Sequence, residues 1–411
     1  MSFIDLTLTL DTPFLSGSVD PGKIDIDWPL RPSTVKGIWR WWTRALVAGV
    51  LFERGLLHGE PHKDFIKIPS DNEASYISRI VGLGLGLGYA GENDSRASCF
   101  RIFIDPTNQR SSSPQPIITN ANKYQRFKLL TVGGKRSIEY INNASITLVI
   151  DENSHCTLER EQKEAAMSAL AMSLRYSCFG KGGRRGLGCF SVKASGQYSN
   201  IFIKDDEKLL EHALVTASKA VDIVINNGKL EKRNLDKCEL PPMPVISRGP
   251  NYIDCTENQE GEKILNKVFN PYILIKVSGS NLLDSIHNFF LRPSRAKVLF
   301  GNYGASDELR KNYYAWILGL PREQKGTGYS VNSKEGRRAS PIMVAVHGNN
   351  EGYISIFTSA DWPRKVIWRG GSGFKQIDIN ETKIIEATIV AIRELMDYLR
   401  KKNLQVKQVW P

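Results

Sequence analysis

The stretch Phe179–Phe190 reads FGKGGRRGLGCF, and the rest of the chain is best interpreted outward from it. It holds five glycines and three cations, Lys181, Arg184 and Arg185, with no acidic residue among them. Glycine tolerates positive φ and lets another backbone approach closely. A loop of this kind presents bare N–H groups together with positive charge, which suits phosphate groups. The alternative is an ordinary glycine-rich turn whose charges are solvated.

The segments on either side of this loop predict a helix before it and a strand after it. Apolar residues between Glu159 and Cys178 recur at helical spacing, and Gly188 to Ala194 has the pattern of a strand. The loop therefore joins a helix to a strand. It is not a Walker A loop, because neither GxxxxGKS nor GxxxxGKT occurs in the chain.

A second stretch, RPSTVKGIWRWWTRALVAGV from Arg31 to Val50, predicts an amphipathic helix. One side carries Lys36, Arg40 and Arg44 at positions i, i+4 and i+8. A solvated helix face usually mixes charge signs, so three like charges over three turns indicate an anionic partner. On the other side, Trp39 and Trp42 are expected in the core. Trp41 lies between the two sides and either stacks on a base or closes the edge of the core.

The order of predicted elements indicates the fold of the first half. A strand at Phe3–Leu10 precedes the basic helix, and strands at Ser98–Ile104 and Ser145–Ile150 precede the helix that ends at Cys178. With the strand after the glycine-rich loop, the order is strand, helix, strand, strand, helix, strand, which is the ferredoxin-like pattern. The polar residues 105–143 form a long insertion, and such insertions are commonly functional.

The second half repeats this pattern less clearly. The predicted elements are strands at 272–277, 341–346, 353–357 and 404–409, a helix at 381–401, and an earlier helix at either 281–290 or 307–318. The sequence thus predicts an α+β chain of two ferredoxin-like, RRM-like domains with long insertions. The expected divisions are an N-terminal domain at 1–200, a connecting helix and Pro-rich linker at 201–250, and a C-terminal domain at 251–411.

Composition narrows the class of partner. The chain has 55 lysines and arginines against 43 acidic residues, and the resulting net charge of +12 points to a polyanion. No apolar run is long enough to span a membrane and no signal-peptide pattern begins the chain, so a cytoplasmic location without membrane contact is expected. Six cysteines without a CxxC pair predict neither a zinc site nor a disulfide framework.

Catalytic and cofactor motifs are missing from the sequence. HExxH and GxSxG do not occur, and His287 and His347 have no evident reason to face the glycine-rich loop. His58 and His62 are either a metal pair or part of a loop, which Gly59 favours because a metal pair at this spacing needs a helix. We therefore predict no cofactor, no metal and no catalysis. The alternative is a metal-independent ribonuclease with a lone histidine as general base.

The tryptophan-rich helix and the glycine-rich loop that follows it in the same predicted domain together resemble the RAMP superfamily of CRISPR proteins. The opening RPSTVKGIWRWWTRA of the basic helix is similar, more narrowly, to the first RAMP subunit of type III-B effectors, the Cmr complexes. The segment GRRASPIMVAV at 336–346 is similar to that subunit's second domain. The family's RNA-processing nucleases carry a catalytic histidine on or near the first helix, where this chain has none before His58.

The resemblance implies a non-catalytic RNA-binding subunit of an antiviral ribonucleoprotein. Its expected partners are the 3′ region of the guide RNA, the paired target RNA and other RAMP subunits. The expected RNA-binding residues are the cations and one tryptophan of the two motifs, with the basic turns of the second half: Arg31, Lys36, Arg40, Trp41, Arg44, Lys181, Arg184, Arg185, Arg292, Arg295, Arg337 and Arg338.

Overall fold

The structure, a computed structural model, is a mixed α/β fold with several small antiparallel sheets. It describes residues 3–17, 20, 22–25, 27–91, 95–105, 110–117, 125–130, 137–225, 230–255, 268–324, 326–331, 337–348, 350–371 and 373–411. Much of the predicted insertion at 105–143 lies outside the described residues.

Nine strands and six helices are described in the first half. The strands are β1 (Ile4–Leu10), β2 (Tyr89–Ala90), β3 (Ser95–Arg96), β4 (Phe100–Ile104), β5 (Arg110–Ser111), β6 (Gln115–Pro116), β7 (Glu139–Tyr140), β8 (Ala144–Glu152) and β9 (Phe190–Gly196). The helices are α1 (Pro32–Glu53), α2 (Asp71–Arg79), α3 (Gln125–Leu130), α4 (Arg160–Tyr176), α5 (Ser199–Phe202) and α6 (Asp206–Ile225).

The described part of the second half has eight strands and four helices. The strands are β10 (Tyr272–Ser278), β11 (Arg322–Gln324), β12 (Thr327–Ser330), β13 (Ile342–His347), β14 (Glu351–Phe357), β15 (Lys365–Gly370), β16 (Gly373–Asp378) and β17 (Gln405–Trp410). The helices are α7 (Leu282–Phe289), α8 (Arg292–Phe300), α9 (Glu308–Lys311) and α10 (Glu381–Lys401).

The two main sheets have equivalent strand orders. The first runs β4-β8-β1-β9 and the second β13-β14-β10-β17, both antiparallel. In each order, the strand that comes first in the chain lies between the strands that come third and fourth. A third sheet, β11-β12-β15-β16, is inserted in the second half and was not predicted. Of the two helices considered after β10, the earlier one is α7, and the later segment contains only α9 and a 3₁₀ turn.

Helix α1 packs the first half together through its tryptophans. Pro32 suits the first turn because its missing N–H needs no partner there. Trp39 and Trp42 are completely buried, and their indole N–H groups donate to the Ala166 carbonyl at 2.8 Å and to Ser177 Oγ at 3.2 Å. Both acceptors belong to α4 or its end, so the predicted core face of α1 is confirmed.

The second sheet is buried on both faces and therefore joins the two halves. Residues of β10 alternate: Ile273 and Ile275 pack in the core under α10, whereas Tyr272 and Leu274 pack in the core of the first half. The Tyr272 ring lies 6.5 Å from that of Trp42. A strand buried on both sides needs apolar residues at successive positions, and YILI at 272–275 supplies them.

The proline-containing segment predicted as a linker is packed rather than exposed. Ile246 is fully buried, and its N–H donates to the Ala45 carbonyl of α1 at 2.9 Å. Gly49 allows this approach, because a Cβ there would lie 1.7 Å from the Ile246 carbonyl oxygen. Helix α6 ends at Ile225, well before Pro241, and the proline-containing segment lies against α1.

The expectation of no disulfides is wrong. Cys178 pairs with Cys189, and Cys238 with Cys255, at separations of 11 and 17 residues. Neither spacing matches a cysteine motif that can be recognised in a sequence. In each pair, the fold of the intervening loop brings the two cysteines together.

Replacing Trp42 by Ala is expected to reduce the free energy of unfolding by about 3–5 kcal/mol, since it empties a buried aromatic site. Arg44→Ala, on the exposed side of the same helix, should cost less than about 0.5 kcal/mol. Denaturant-induced unfolding measures both changes. Equal losses for the two variants would contradict the assignment of the helix faces.

Candidate nucleic-acid interface

The glycine-rich loop is a compact turn held by glycine conformations. Gly182 and Gly186 have φ of 81° and 79° and flank a 3₁₀ turn at Gly183–Arg185. At Gly188, where φ is 74°, a Cβ would lie 2.2 Å from the Phe179 carbonyl oxygen. Other residue types would be strained in this backbone. The Cys178–Cys189 disulfide closes the loop at its base.

The loop covers the edge strand β13 of the second sheet. Arg184 Nη2 donates to the Ser340 carbonyl at 2.7 Å, and Arg185 Nη1 donates to the Ile342 carbonyl at 2.7 Å. The Val346 N–H donates to Cys189 Sγ at 3.2 Å. An edge strand presents unpaired backbone groups, and here the first half of the chain supplies their partners.

The side chain of Arg185 therefore has a structural role that the sequence did not predict. Besides Ile342, its guanidinium donates to the Leu318 carbonyl at 3.1 Å and lies 3.8 Å from the centre of the Phe290 ring. Most of its donors are occupied within the protein. Arg184 has the Ser340 contact, while its Nε is buried without a hydrogen-bond partner.

Beside the loop lies a cavity of about 450 Å³ rich in arginine, here called the arginine cavity. Five arginines line it: Arg126, Arg184, Arg185, Arg322 and Arg338. Arg338 pairs with Asp361 at 2.8 Å. Among the described residues, the other four have no carboxylate within ion-pairing distance. Arg126 and Arg322 were missing from the predicted set, because no local motif marks residues that only the fold brings to the loop.

Electrostatics make this cavity unfavourable without an anion. Burial lowers the pKa of Arg126 and Arg185, and lowers the pKa of Arg184 to about 10 and of Arg322 to about 9. Neighbouring arginines lower the pKa values of Arg184, Arg185 and Arg322 further, while Asp361 raises that of Arg184 and Asp307 that of Arg322. Guanidinium groups stay charged under physiological conditions. Several partly buried positive charges without acidic partners are costly, and a bound polyanion would offset that cost.

The basic face of α1, formed by Lys36, Arg40 and Arg44, is a second concentration of positive charge. Arg44 is exposed and the other two are half-buried. Burial and the charge of Arg40 lower the pKa of Lys36, and burial and Arg44 lower that of Arg40. Arg40 donates to the Leu87 carbonyl at 2.8 Å. Within the described part of the chain, the three cations form no ion pair with a carboxylate.

Trp41 occupies the junction between the halves. It is half-buried, and its ring packs edge-on against Phe357 of β14 at 5.1 Å and against Trp42 at 5.7 Å. Of its two predicted roles, closing the edge of the core agrees with these contacts. Base stacking by Trp41 stays a prediction.

The remaining predicted residues have different surroundings. Arg31 is exposed and pairs with Asp25 at 3.3 Å, Arg337 is exposed, and Lys181 is half-buried in the loop. Arg292 donates to the Gly304 carbonyl at 3.5 Å. The predicted RNA-binding role of Arg295 needs correction, because the Arg295 side chain is only 1% exposed.

Arg295 belongs to a buried ion cluster rather than to a surface. Its guanidinium contacts Asp307 at 2.6 Å and Glu394 at 3.4 Å, and Nη1 donates to the Phe289 carbonyl at 3.1 Å. Burial, and then the charge of Asp307, raise the pKa of Glu394 to about 7. With these partners Arg295 has no surface from which to reach RNA.

The two candidate histidines are both engaged inside the protein. His287 is 4% exposed, and its Nε2 lies 2.9 Å from the Arg185 carbonyl, so it contacts the loop although nothing in its sequence context indicated this. His347 Nδ1 lies 3.1 Å from Asp11 Oδ2 and its Nε2 2.7 Å from the Arg175 carbonyl. In the described residues, no group of three or more His, Cys, Asp or Glu side chains is arranged to hold a metal ion.

The comparison with protein families identifies the first half. The model of the RAMP superfamily matches residues 7–191, which run from within β1 through α1, β4, β8, α4 and the glycine-rich loop to the start of β9. These residues match the RAMP superfamily, so the predicted resemblance is confirmed. No curated protein matches the chain.

Solved structures of Cmr proteins resemble the chain over almost its whole length. Cmr1 from Pyrococcus furiosus in its apo form is 18% identical, with a TM-score of 0.48 and 99% of each chain covered. A chain of the type III-B Cmr-beta complex bound to cognate target RNA and AMPPnP, with single-stranded DNA present, is 12% identical, with a TM-score of 0.53 and coverage of 96% and 99%. A chain of Cmr-beta bound to cognate target RNA is 13% identical, with a TM-score of 0.50 and coverage of 95% and 100%.

None of the helices in the described part of the chain is both long and apolar enough to cross a lipid bilayer.

The contact between His287 and the loop gives a pH-dependent prediction. Burial lowers the pKa of His287 to about 4 from an ordinary value of 6.5. Between these values the unfolded chain binds a proton that the folded protein does not, so the free energy of unfolding falls as the pH decreases. This contribution amounts to about 3 kcal/mol.

In His287→Gln, this part of the pH dependence should be absent from denaturant unfolding curves measured between pH 7 and pH 4. The exposed His155 offers a matched control, and His155→Gln should unfold as the wild type does. An unchanged pH dependence in His287→Gln would contradict the buried, neutral state of this imidazole.

Proposed function

We propose that this chain is a non-catalytic RNA-binding subunit of a type III-B CRISPR effector, acting in the cytoplasm in antiviral defence. Its partners would be guide RNA, the complementary target RNA and other RAMP subunits. The observation that carries the proposal is the uncompensated positive charge of the arginine cavity, where four guanidiniums have no carboxylate partner among the described residues. An RNA backbone is an anion that matches such a site.

Two further observations support this assignment. The RAMP match at 7–191 includes both the basic face of α1 and the glycine-rich loop. The similar Cmr-beta chains come from complexes bound to cognate target RNA. At 12% and 13% identity these similarities concern the fold, so RNA binding by this chain rests on its own charge distribution.

We infer a ferredoxin-like domain in each half, with divisions near 1–200, 201–250 and 251–411. The equivalent orders β4-β8-β1-β9 and β13-β14-β10-β17 support this division. Helices α1 and α4 cross between strands of the first sheet, as α7 and α10 do in the second. The inserted sheet β11-β12-β15-β16 is then an addition to the second domain.

The histidine environments favour binding over cleavage. A general base needs an accessible nitrogen within hydrogen-bonding distance of the proton that it removes. His287 is buried against the loop, and both ring nitrogens of His347 face acceptors of the protein. The cations of the loop cannot replace them, because arginine does not deprotonate.

Binding of single-stranded RNA should weaken with salt by about 0.7 in the logarithmic slope for each phosphate contact. The double variant Lys36→Ala, Arg44→Ala removes two phosphate contacts. It should reduce the magnitude of that slope by about 1.4. Fluorescence anisotropy over a salt series measures it.

The matched control is Lys208→Ala on α6, which removes an exposed lysine paired with Asp205 at 2.7 Å. This variant should retain the wild-type slope. An unchanged slope in the double variant, with the same melting temperature, would exclude the basic face of α1 from the RNA site. Arg184 and Arg185 are unsuitable for this test because they hold the two halves together.

The ribonuclease alternative predicts cleavage without metal. We expect labelled single-stranded RNA to stay intact with EDTA or with magnesium, at protein concentrations that shift all of it in a gel. Discrete products that disappear in His287→Ala or His347→Ala would establish the enzyme instead.

A further inference from the structure

The hairpin β15–β16 carries an aromatic residue and a cation next to each other on each of its faces. Its tip reads WRGGSGFK from Trp368 to Lys375. Trp368 pairs with Lys375 across the strands, and Arg369 pairs with Phe374. Directly opposed residues point to the same face of a sheet, and successive residues to opposite faces. Each face of the hairpin tip therefore presents one aromatic ring beside one cation.

The aromatic group on the first face is extended by a neighbouring loop. The Tyr313 ring lies 5.3 Å from that of Trp368 in an edge-on arrangement, and Lys375 Nζ lies 4.3 Å from the centre of the Tyr313 ring. Tyr313 has a φ of 59°, which is unusual for a non-glycine residue. Such backbone conformations persist where the surrounding structure imposes them and cluster at functional sites.

The second face is the more accessible. Phe374 is 64% exposed, which is unusual for a phenylalanine. Arg369 opposite it is exposed, as are Lys365 and Lys375 on the same hairpin. In the described residues none of these three cations forms an ion pair with a carboxylate. The tip thus combines exposed ring surface with the positive charge of Arg369 and Lys375, whereas Lys365 lies opposite Asp378 in the strand pairing.

The hairpin is connected to the arginine cavity by a row of side chains across the inserted sheet. Arg322 pairs with Tyr329, Tyr329 with Trp368, and Trp368 with Lys375. These four residues therefore lie on one face, across three strand spacings or about 14 Å. Arg322 lines the cavity, and Lys375 lies on the hairpin. Positive charge is present at both ends of the row.

We propose that the β15–β16 hairpin binds single-stranded RNA, with Phe374 stacking on an unpaired base and with Arg369 and Lys365, which lie on the same face as Phe374, contacting phosphates. Aromatic rings among cations are how sequence-tolerant single-strand binding sites are built, since every base offers a ring face. Lysine is depleted in protein–protein interfaces, so two exposed lysines favour RNA over a protein partner. This inference rests on the proposed function and extends it to an element of the second half.

The test uses the full-length protein and a fluorescein-labelled 20-nucleotide single-stranded RNA. Phe374→Ala should raise the Kd about tenfold, because one stacked base is lost, while the salt slope stays as in the wild type. Phe374→Tyr keeps the ring and should keep the affinity. Arg369→Ala, opposite Phe374, should instead reduce the magnitude of the salt slope by about 0.7.

The matched control is Phe103→Ala, which removes another exposed phenylalanine, 47% exposed, from the edge strand β4 of the first half. It should bind RNA as the wild type does. Because Phe374 is mostly exposed, its replacement should leave the melting temperature unchanged.

The outcomes separate this inference from the proposed function. Wild-type protein that binds no RNA would overturn both. Wild-type binding that is unchanged in Phe374→Ala would overturn the hairpin site alone. Unchanged RNA affinity with loss of co-purifying subunits in Phe374→Ala would make the hairpin a protein contact, and would also overturn this inference.

Discussion

Hydrogen bonds from Arg184 and Arg185 to backbone carbonyls at the edge of the second sheet are the contact on which this structure depends. The strand β13 is an edge strand, and unpaired carbonyls at an edge need donors. The glycine-rich loop supplies guanidinium donors from the first half. It can lie so close because its glycines adopt positive φ and because Gly186 has no side chain to meet Leu283 and Val346. One short loop thus fixes the position of the second sheet.

Burial of the second sheet on both faces has a related consequence. Its outer face packs under α10, and its inner face contributes Tyr272 and Phe357 to the core that contains Trp42. Aromatic pairs at this junction add to the stabilisation from buried apolar area. Ile246, in the proline-containing segment, is fully buried, and its N–H donates to the Ala45 carbonyl of α1. The two halves therefore share a core rather than being joined by a free linker.

The same contact creates the excess positive charge that supports RNA binding. Holding the loop against β13 gathers Arg184 and Arg185 with Arg126 and Arg322, from a helix of the insertion and from β11. These four charges repel one another and lack carboxylate partners in the described part of the chain. Elsewhere in the interior, the charge of the buried Arg295 is neutralised by two carboxylates, Asp307 and Glu394. In the arginine cavity Asp361 pairs with Arg338, and the other four arginines have no described carboxylate within ion-pairing distance, which favours an external anion.

Local patterns determined much of this protein by themselves. Periodicity located α1, α4 and α10 and the main strands, because amphipathic spacing follows directly from burial on one side. The two motifs were sufficient for the RAMP assignment, and the spacing of Lys36, Arg40 and Arg44 predicted their common face. Only the tertiary structure decided that Arg185 caps a sheet edge, that Arg295 is buried, and that Arg126 and Arg322 join the cavity. Those outcomes depend on residues more than a hundred positions apart or on acids beside a given cation, and a one-dimensional pattern contains neither.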